Sequence, residues 1–400
     1  MTVRSVEEGV AFDVAGDDRA HLARALGRNL QWSAAGVIIW GMVGHLRLPS
    51  GTTLAIRSKK APAACLLSWA SYVDPSLSDL KNLRQFDEIG DDGDVGEALA
   101  GLFVRELLSV TGAHGLRRRY RRVMTRSATL RGAIDFAALS RAGGDLSRTP
   151  CVAWERLPRT PLNQFFARAL QVIRRDPLMR RAVGGIVNDL QAVFVDVPPG
   201  VDADLMAGRR PLERDELPFG AACALARMLL RDAGLGTGEA DRGLGFLVRL
   251  DALFEKAVVK ALRDAGLPAE AKRPAAYLRL GEEGSSRHAN RELDCFLRMP
   301  DGRGLVIDAK YKSDVSWSNI DQMLSYCHLT GVTEAVLVFP AGQLKDRRAY
   351  ELRSPERRSV RVALAEFDTS GRSVASWRAN GLAFVECLPL GTGPSEMARS

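Results

Sequence analysis

The sequence predicts a mixed α/β chain, α+β overall. A β-rich N-terminal module comes first, a mainly helical middle region second, and an α/β domain built around a strand hairpin last. Three observations predict it. Trp32 to Pro49 is β-rich and alternates in character, and Thr53 to Ile56 returns as a strand after the Ser50-Gly51 turn. Helical patterns cover about Leu162–Ile173, Met179–Val193 and Phe219–Ala233, the first opened by Thr160-Pro161, a cap residue followed by a first-turn proline. Two short apolar runs, Leu293–Arg298 and Leu305–Lys312, flank a segment whose proline and glycines have turn chemistry.

Composition narrows the function classes. At 400 residues the chain exceeds one ordinary domain, so two or three are expected, with boundaries placed at 1–130, 131–240 and 241–400. A net charge of +8 suits a polyanionic partner. The six cysteines, at 65, 151, 223, 295, 327 and 387, include no C-x-x-C pair, and no histidines have H-x-x-x-H spacing. They read as reduced thiols rather than a zinc site or a disulfide framework. No apolar run reaches membrane-spanning length and no secretory pattern opens the chain, so a soluble, cytoplasmic protein without membrane partners is expected. No G-x-x-x-x-G-K-[ST] occurs, and the glycine-rich stretch 234–245 has no strand before it. Nucleotide binding through a Walker loop is therefore not expected, and that stretch reads as a linker.

Taken in order, the N-terminal module has a helical piece near Asp18–Leu30, the strands already named, and a helix over Pro62–Tyr72. Asp87–Glu97 is acidic and reads as a solvated loop leading into a helix over Val95–Thr111. Leu116–Arg131 is the most basic stretch, with Arg117, Arg118, Arg119, Arg121 and Arg122 around Tyr120 and no acid. Phosphate contact is one reading. A solvated helix face, or a surface for an acidic protein partner, is the other. A turn and strand follow over Arg131–Asp135, then a Gly/Arg/Ser loop over Arg141–Arg148, and Val197–Val201 breaks the helical region. Further on, Glu334–Pro340 reads as a buried strand and Arg358–Asp368 as another.

The chemistry concentrates between Arg291 and Tyr326. Side chains alternate along a strand, so Asp308, Lys310 and Lys312 share one face. A hairpin closing near Asp301 and Gly302 sets Asp294 opposite Asp308, within one residue. Two acids so close repel unless a proton or cation intervenes. Hard carboxylate oxygens favour Mg²⁺ (or Mn²⁺), which polarises a phosphodiester and activates water. Lys310 would orient that water, or stabilise charge on the phosphate oxygens. D-x-K alone is common by chance; the hairpin spacing and the next helix give it weight. On that helix Gln322 and Tyr326 lie four apart, on one face. Upstream, Glu255 lies on an amphipathic helix running from Asp251 and reads either as a further acid near the metal or as a surface glutamate.

The pattern Asp294, thirteen residues, Asp308-Ala309-Lys310 resembles the PD-(D/E)XK nuclease core, and Gln322 with Tyr326 resembles the Q-x-x-x-Y feature of RecB-like nucleases. Wider stretches are similar to the McrC family, the nuclease subunit of McrBC-type modification-dependent restriction systems. These are V-G-H-L-R-L-P-S-G-T-T-L-A-I (43–56), L-R-G-A-I-D (130–135), T-P-L-N-Q-F-F-A-R-A-L (160–170), L-F-E, E-L-D, I-D-A-K-Y-K and Q-M-L-S-Y. The resemblance implies a C-terminal PD-(D/E)XK nuclease domain that cuts modified, methylcytosine-containing foreign DNA. It implies metal contacts at Asp294, Asp308 and Ala309, with Lys310, Glu255, Gln322 and Tyr326 completing the catalytic set. The implied partners are double-stranded DNA and a McrB-like AAA+ GTPase ring, which the N-terminal part docks into and stimulates; this chain itself binds no nucleotide. Two other readings remain: a non-cleaving adaptor of such a motor, and a stand-alone RecB-like repair nuclease. Leu293 departs from the proline usual before the first aspartate, and Cys295 beside it has no assigned role.

Overall fold

The computed structural model describes residues 2–58, 62–82, 94–143, 147–232, 245–280, 286–299, 302–312, 315–344, 349–354 and 357–389. They fold as mixed α/β structure in two compact units, Met1–Ala98 with Leu235–Ser400, and Leu99–Gly234. The acidic loop expected over Asp87–Glu97, the linker over 234–245 and the tail from Gly391 lie largely or wholly outside the described residues.

The first unit opens with β1 (Val3–Glu7), α1 (Gly16–Leu26), β2 (Leu30–Ser33), β3 (Gly36–Ile39), β4 (Met42–Arg47), β5 (Thr53–Arg57) and α2 (Ala63–Val73). β5 pairs in parallel with β1 and antiparallel with β4, so that Ala55 faces Ser5 on one side and His45 on the other. The helix expected to reach Leu30 stops earlier. Gly27 takes φ +52, a backbone that ends a helix, and Leu30 already belongs to β2. Leu22, Leu26, Val37, Ile39, Leu54 and Ile56 close a core around these strands.

α3 (Val95–His114) leads to β6 (Arg119–Ser127), β7 (Ala133–Ile134), α4 (Phe136–Arg141), β8 (Thr149–Leu157), α5 (Pro161–Arg175), α6 (Pro177–Val193), α7 (Ala203–Ala207) and α8 (Gly220–Asp232). Here the helix-face reading of the basic stretch is overturned. Arg119–Ser127 is a strand, and β8, absent from the sequence reading, pairs with it from Arg119↔Leu157 to Ser127↔Thr149. Local charge cannot distinguish a basic helix from a basic strand; the partner strand decides. The second unit therefore adds a three-stranded sheet, order β6-β8-β7, to its helices. The helix starts follow the expected chemistry: Thr160 Oγ1 accepts from Asn163 N at 3.2 Å, and Asp176 caps α6 through Leu178 N at 2.9 Å.

The chain returns to the first unit with β9 (Gly245–Arg249), α9 (Leu250–Asp264), β10 (Ala269–Leu280), β11 (Ser286–Arg298), β12 (Gly304–Ala309), α10 (Trp317–Thr330), β13 (Glu334–Pro340), β14 (Tyr350–Ser354), β15 (Arg357–Phe367) and α11 (Val374–Glu386). β9 pairs antiparallel with β4, giving a sheet of order β1-β5-β4-β9. Gly44 permits that approach: it has φ +116, and a Cβ there would lie 2.0 Å from the Phe246 carbonyl oxygen. This pairing joins residues that the sequence reading placed on either side of its boundaries at 130 and 240.

The second large sheet has the order β10-β11-β12-β13-β15-β14. β10, β11 and β12 run antiparallel to their neighbours; β12, β13 and β15 are parallel. α10 is the crossover between β12 and β13, held by a capping box at Ser316 and Asn319 and ended at Gly331 in the left-handed region. Its Ile320, Met323 and Tyr326 pack with Val306, Leu337 and Val362. Leu293, where a proline was usual, is fully buried in the same core. Aromatic side chains from α2, α9 and α11 gather beyond: Trp69 and Trp377 stack at 5.1 Å, and Phe254 meets Tyr311 at 5.8 Å.

Candidate active site

Strand register builds the site. β10 and β11 pair with Ala271 facing Cys295 and Arg273 facing Leu293, which leaves Lys272 across from Asp294. β11 and β12 pair with Cys295 facing Ile307, and one step further sets Asp294 across from Asp308. Lys272, Asp294 and Asp308 thus form a row across three strands, and Lys310 lies two residues past Asp308 on the same side. The turn responsible is tied by Met299 N to Arg303 O at 2.8 Å and Gly302 N to Met299 O at 2.9 Å, with φ +84 at Gly302; Pro300 and Asp301 lie outside the described residues.

The acids and the amine converge. Lys310 Nζ lies 2.6 Å from Asp308 Oδ2, and Asp294 Oδ2 accepts from the Ala309 backbone N–H at 3.1 Å. Asp308 is buried, and Oδ2 makes no hydrogen bond of proper geometry despite the ammonium beside it. Burial, followed by the charge of Asp308, pushes the Asp294 carboxyl up to about 6. Burial also raises Asp308, against the opposing pull of Lys310. For Lys310, burial works against the charged form, but Asp308 and Asp294 outweigh it and hold the ammonium above its ordinary value. Such a pair is poised for a cation.

A hard divalent ion fits this donor set. Two carboxylates come together, and among the described residues no three His, Cys, Asp or Glu side chains gather into a cage. Mg²⁺ keeps several waters and takes one or two carboxylates, whereas structural zinc wants four protein ligands. Asp294, Asp308 and the backbone of Ala309 are the groups within reach.

The remaining candidates stand around this centre. Glu255, on α9, directs Oε2 to Lys272 Nζ at 2.8 Å, and its charge is felt at Asp308. Gln322 Nε2 donates to Tyr326 Oη at 2.7 Å, and Tyr326 Oη donates to the Glu292 carbonyl at 3.2 Å. The pair therefore ties α10 to β11 two residues before Asp294, with Tyr326 close enough to Lys310 to act on its charge. Cys295 is buried, which pushes its thiol up to about 12 and leaves it inert.

The five arginines belong to the other unit. Arg117 pairs with Asp215 and Arg119 with Glu213. Arg118, Arg121 and Arg122 are exposed and, among the described residues, make no ion pair. On β6 and β8, Tyr120, Met124 and Trp154 are also exposed, at 69%, 68% and 68%.

Sequence reasoning missed Lys272. Its Nζ lies between Glu255 Oε2 at 2.8 Å and Asp294 Oδ1 at 3.8 Å. Burial opposes its charge, but Glu255, Asp294 and Glu292 together raise the ammonium above its ordinary value. The one available signal was that a strand pairing with Glu292–Asp294 would bring a basic side chain opposite the acid, and nothing local fixed that register.

Comparison with known proteins gives a family and a fold. The family model described as "McrBC 5-methylcytosine restriction system component" matches residues 39–340. No curated protein matches. Among solved structures, one is described as a refined half-complex from a tetradecameric assembly of Thermococcus gammatolerans McrB AAA+ hexamers with bound McrC. The matching chain is 17% identical with a TM-score of 0.58, over 95% of this chain and 99% of that one. A second, the cryo-EM structure of the Thermococcus gammatolerans McrBC complex, is 18% identical with a TM-score of 0.42, over 68% of this chain and 90% of that one. At these identities the structural likeness carries the fold alone. No described helix is long and apolar enough to cross a membrane.

Proposed function

This chain belongs to the family of McrBC 5-methylcytosine restriction system components, and we propose on that footing that it is the DNA-cutting subunit, a Mg²⁺-dependent endonuclease of the PD-(D/E)XK type. One observation carries the reading: Asp294, Asp308 and Lys310 meet on one sheet face, with Lys310 Nζ 2.6 Å from Asp308. In this reading Asp294, Asp308 and the backbone of Ala309 hold the ion. When bound, the ion supplies Lewis acidity toward the scissile phosphate and lowers the pKa of a water. Lys310, kept protonated by its acids, binds a phosphate oxygen or orients the attacking water. Gln322 and Tyr326 fix α10 against β11 and so hold the floor under Lys310.

The solved relative's description names McrB AAA+ hexamers with bound McrC. By analogy, we propose a McrB-like AAA+ GTPase ring as the partner that brings modified DNA, with Arg118, Arg121 and Arg122 at a contact with that ring or with DNA. The test is cleavage of methylated double-stranded DNA by the chain with its partner ring, GTP and Mg²⁺. Cleavage that needs the metal and vanishes in Asp308→Ala, while partner GTPase stimulation persists, supports the reading. GTPase stimulation with no cleavage under any divalent metal would leave an adaptor, and degradation of linear DNA by the chain alone would leave a stand-alone repair nuclease.

A further inference from the structure

We propose that Lys272 is a built-in counter-ion of the acid row: in the absence of a divalent cation its ammonium bridges Glu255 and Asp294, and cation binding displaces it. The inference rests on the acid row being the metal site.

Three observations carry it. The first is position. Nζ lies 2.8 Å from Glu255 Oε2 and 3.8 Å from Asp294 Oδ1, so one ammonium spans two acids from different elements, α9 and β11. The second is backbone. Among the described residues Lys272 is the sole non-glycine with a left-handed φ, +54. The β10–β11 ladder is intact on either side of it, at Ala271↔Cys295 and Arg273↔Leu293, yet no pairing is made at Lys272 itself. A non-glycine held in this region is strained by its Cβ. An ordinary exposed ion pair is too weak to offset that strain. The third is exit: the Lys272 side chain is 55% exposed, whereas Glu255 and Asp294 are 22% and 15% exposed. The ammonium can swing to solvent on a flexible stem while the acids stay in place.

The exchange is one of charge. Before the ion arrives, Lys272 offsets part of the repulsion among the acids; a divalent ion brings twice that charge at closer range. Lys272 therefore sets how much cation the site requires.

The test is Mn²⁺ binding to the full-length chain without DNA or nucleotide, by calorimetry and by the electron paramagnetic signal of free Mn²⁺. Lys272→Gly suits the left-handed backbone and removes the ammonium; Lys272→Met removes it while keeping the stem. Both are expected to bind Mn²⁺ roughly three- to tenfold more tightly than wild type, the range of one lost ionic competitor at a half-exposed site, and Lys272→Arg to stay near wild type. Unchanged or weaker binding in the glycine and methionine variants overturns the counter-ion. Asp308→Asn separates the two layers. If it binds Mn²⁺ like wild type, the ion is not at the acid row, and the site assignment falls together with this inference. If it abolishes binding while Lys272→Gly changes nothing, the counter-ion alone falls.

Discussion

Asp308 is 1% exposed, whereas Tyr120, among the arginines of β6, is 69% exposed. The two units treat charge in opposite ways. Around Asp308 the first unit buries acids and an amine on one sheet face, where each charge depends on its neighbours and protonation shifts. Along β6 and just before it the second unit displays guanidinium groups to solvent and, among the described residues, ties Arg117 and Arg119 to acids of its own, Asp215 and Glu213. Buried charge is expensive unless something works on it; displayed charge costs little and is available to a large polyanionic or acidic partner. Chemistry is expected in the first region and contact in the second.

The largest effect that sharpens this contrast is at the buried triad. Asp308→Ala or Lys310→Ala is expected to lower DNA cleavage by on the order of 10³-fold or more, the scale of losing a metal ligand or a charge-stabilising group. Single-turnover cleavage with the partner ring checks it, and near-normal rates in either variant break the assignment.

Next is the pH dependence of the metal-free protein. With its carboxyl raised to about 6, Asp294 in the folded state binds more protons than in the unfolded state between about pH 4 and 6. Stability in EDTA is therefore expected to fall as pH rises through that window, by on the order of 2–3 kcal/mol for a shift of this size. Asp294→Asn should flatten the slope and stabilise the metal-free chain near neutral pH. Urea unfolding at several pH values would show it, and an unchanged slope would mean Asp294 titrates like an exposed carboxylate.

In the second unit, the double change Arg121→Glu with Arg122→Glu is expected to weaken binding to DNA or to the partner ring by about tenfold or more and to reduce its salt dependence. Arg119→Ala, whose guanidinium is already engaged by Glu213, should cost less. Fluorescence anisotropy with DNA and co-elution with the ring would rank them; equal losses would erase the distinction between paired and displayed arginines. Smallest is Tyr326→Phe, which removes the bond to the Glu292 carbonyl and is expected to lower stability by about 1 kcal/mol, read as a modest fall in Tm.

What could be read from the sequence follows the range of the interaction. The register of Asp294 against Asp308 was legible because a short turn and two-residue alternation fix a hairpin locally. Thr160-Pro161 announced α5 for the same reason. β8 was not legible: T-P-C-V-A-W-E-R-L carries a proline and two charges, and becomes a strand only by pairing with β6. The β4–β9 pairing and the place of Lys272 were hidden likewise. Each depends on a partner whose alignment no local rule sets, and the left-handed turn at Lys272 occurs where a lysine gives no warning of it.

The ladder between β4 and β9 has a consequence for biogenesis. As the chain leaves the ribosome, Met42–Arg47 must wait, one hydrogen-bonding edge unmatched, until Gly245–Arg249 has been made. Everything in Leu99–Gly234 is synthesised during that delay. The inserted unit can mature first, while the body that hosts the acids closes last, so a nascent chain would have its display of arginines before its row of acids was assembled.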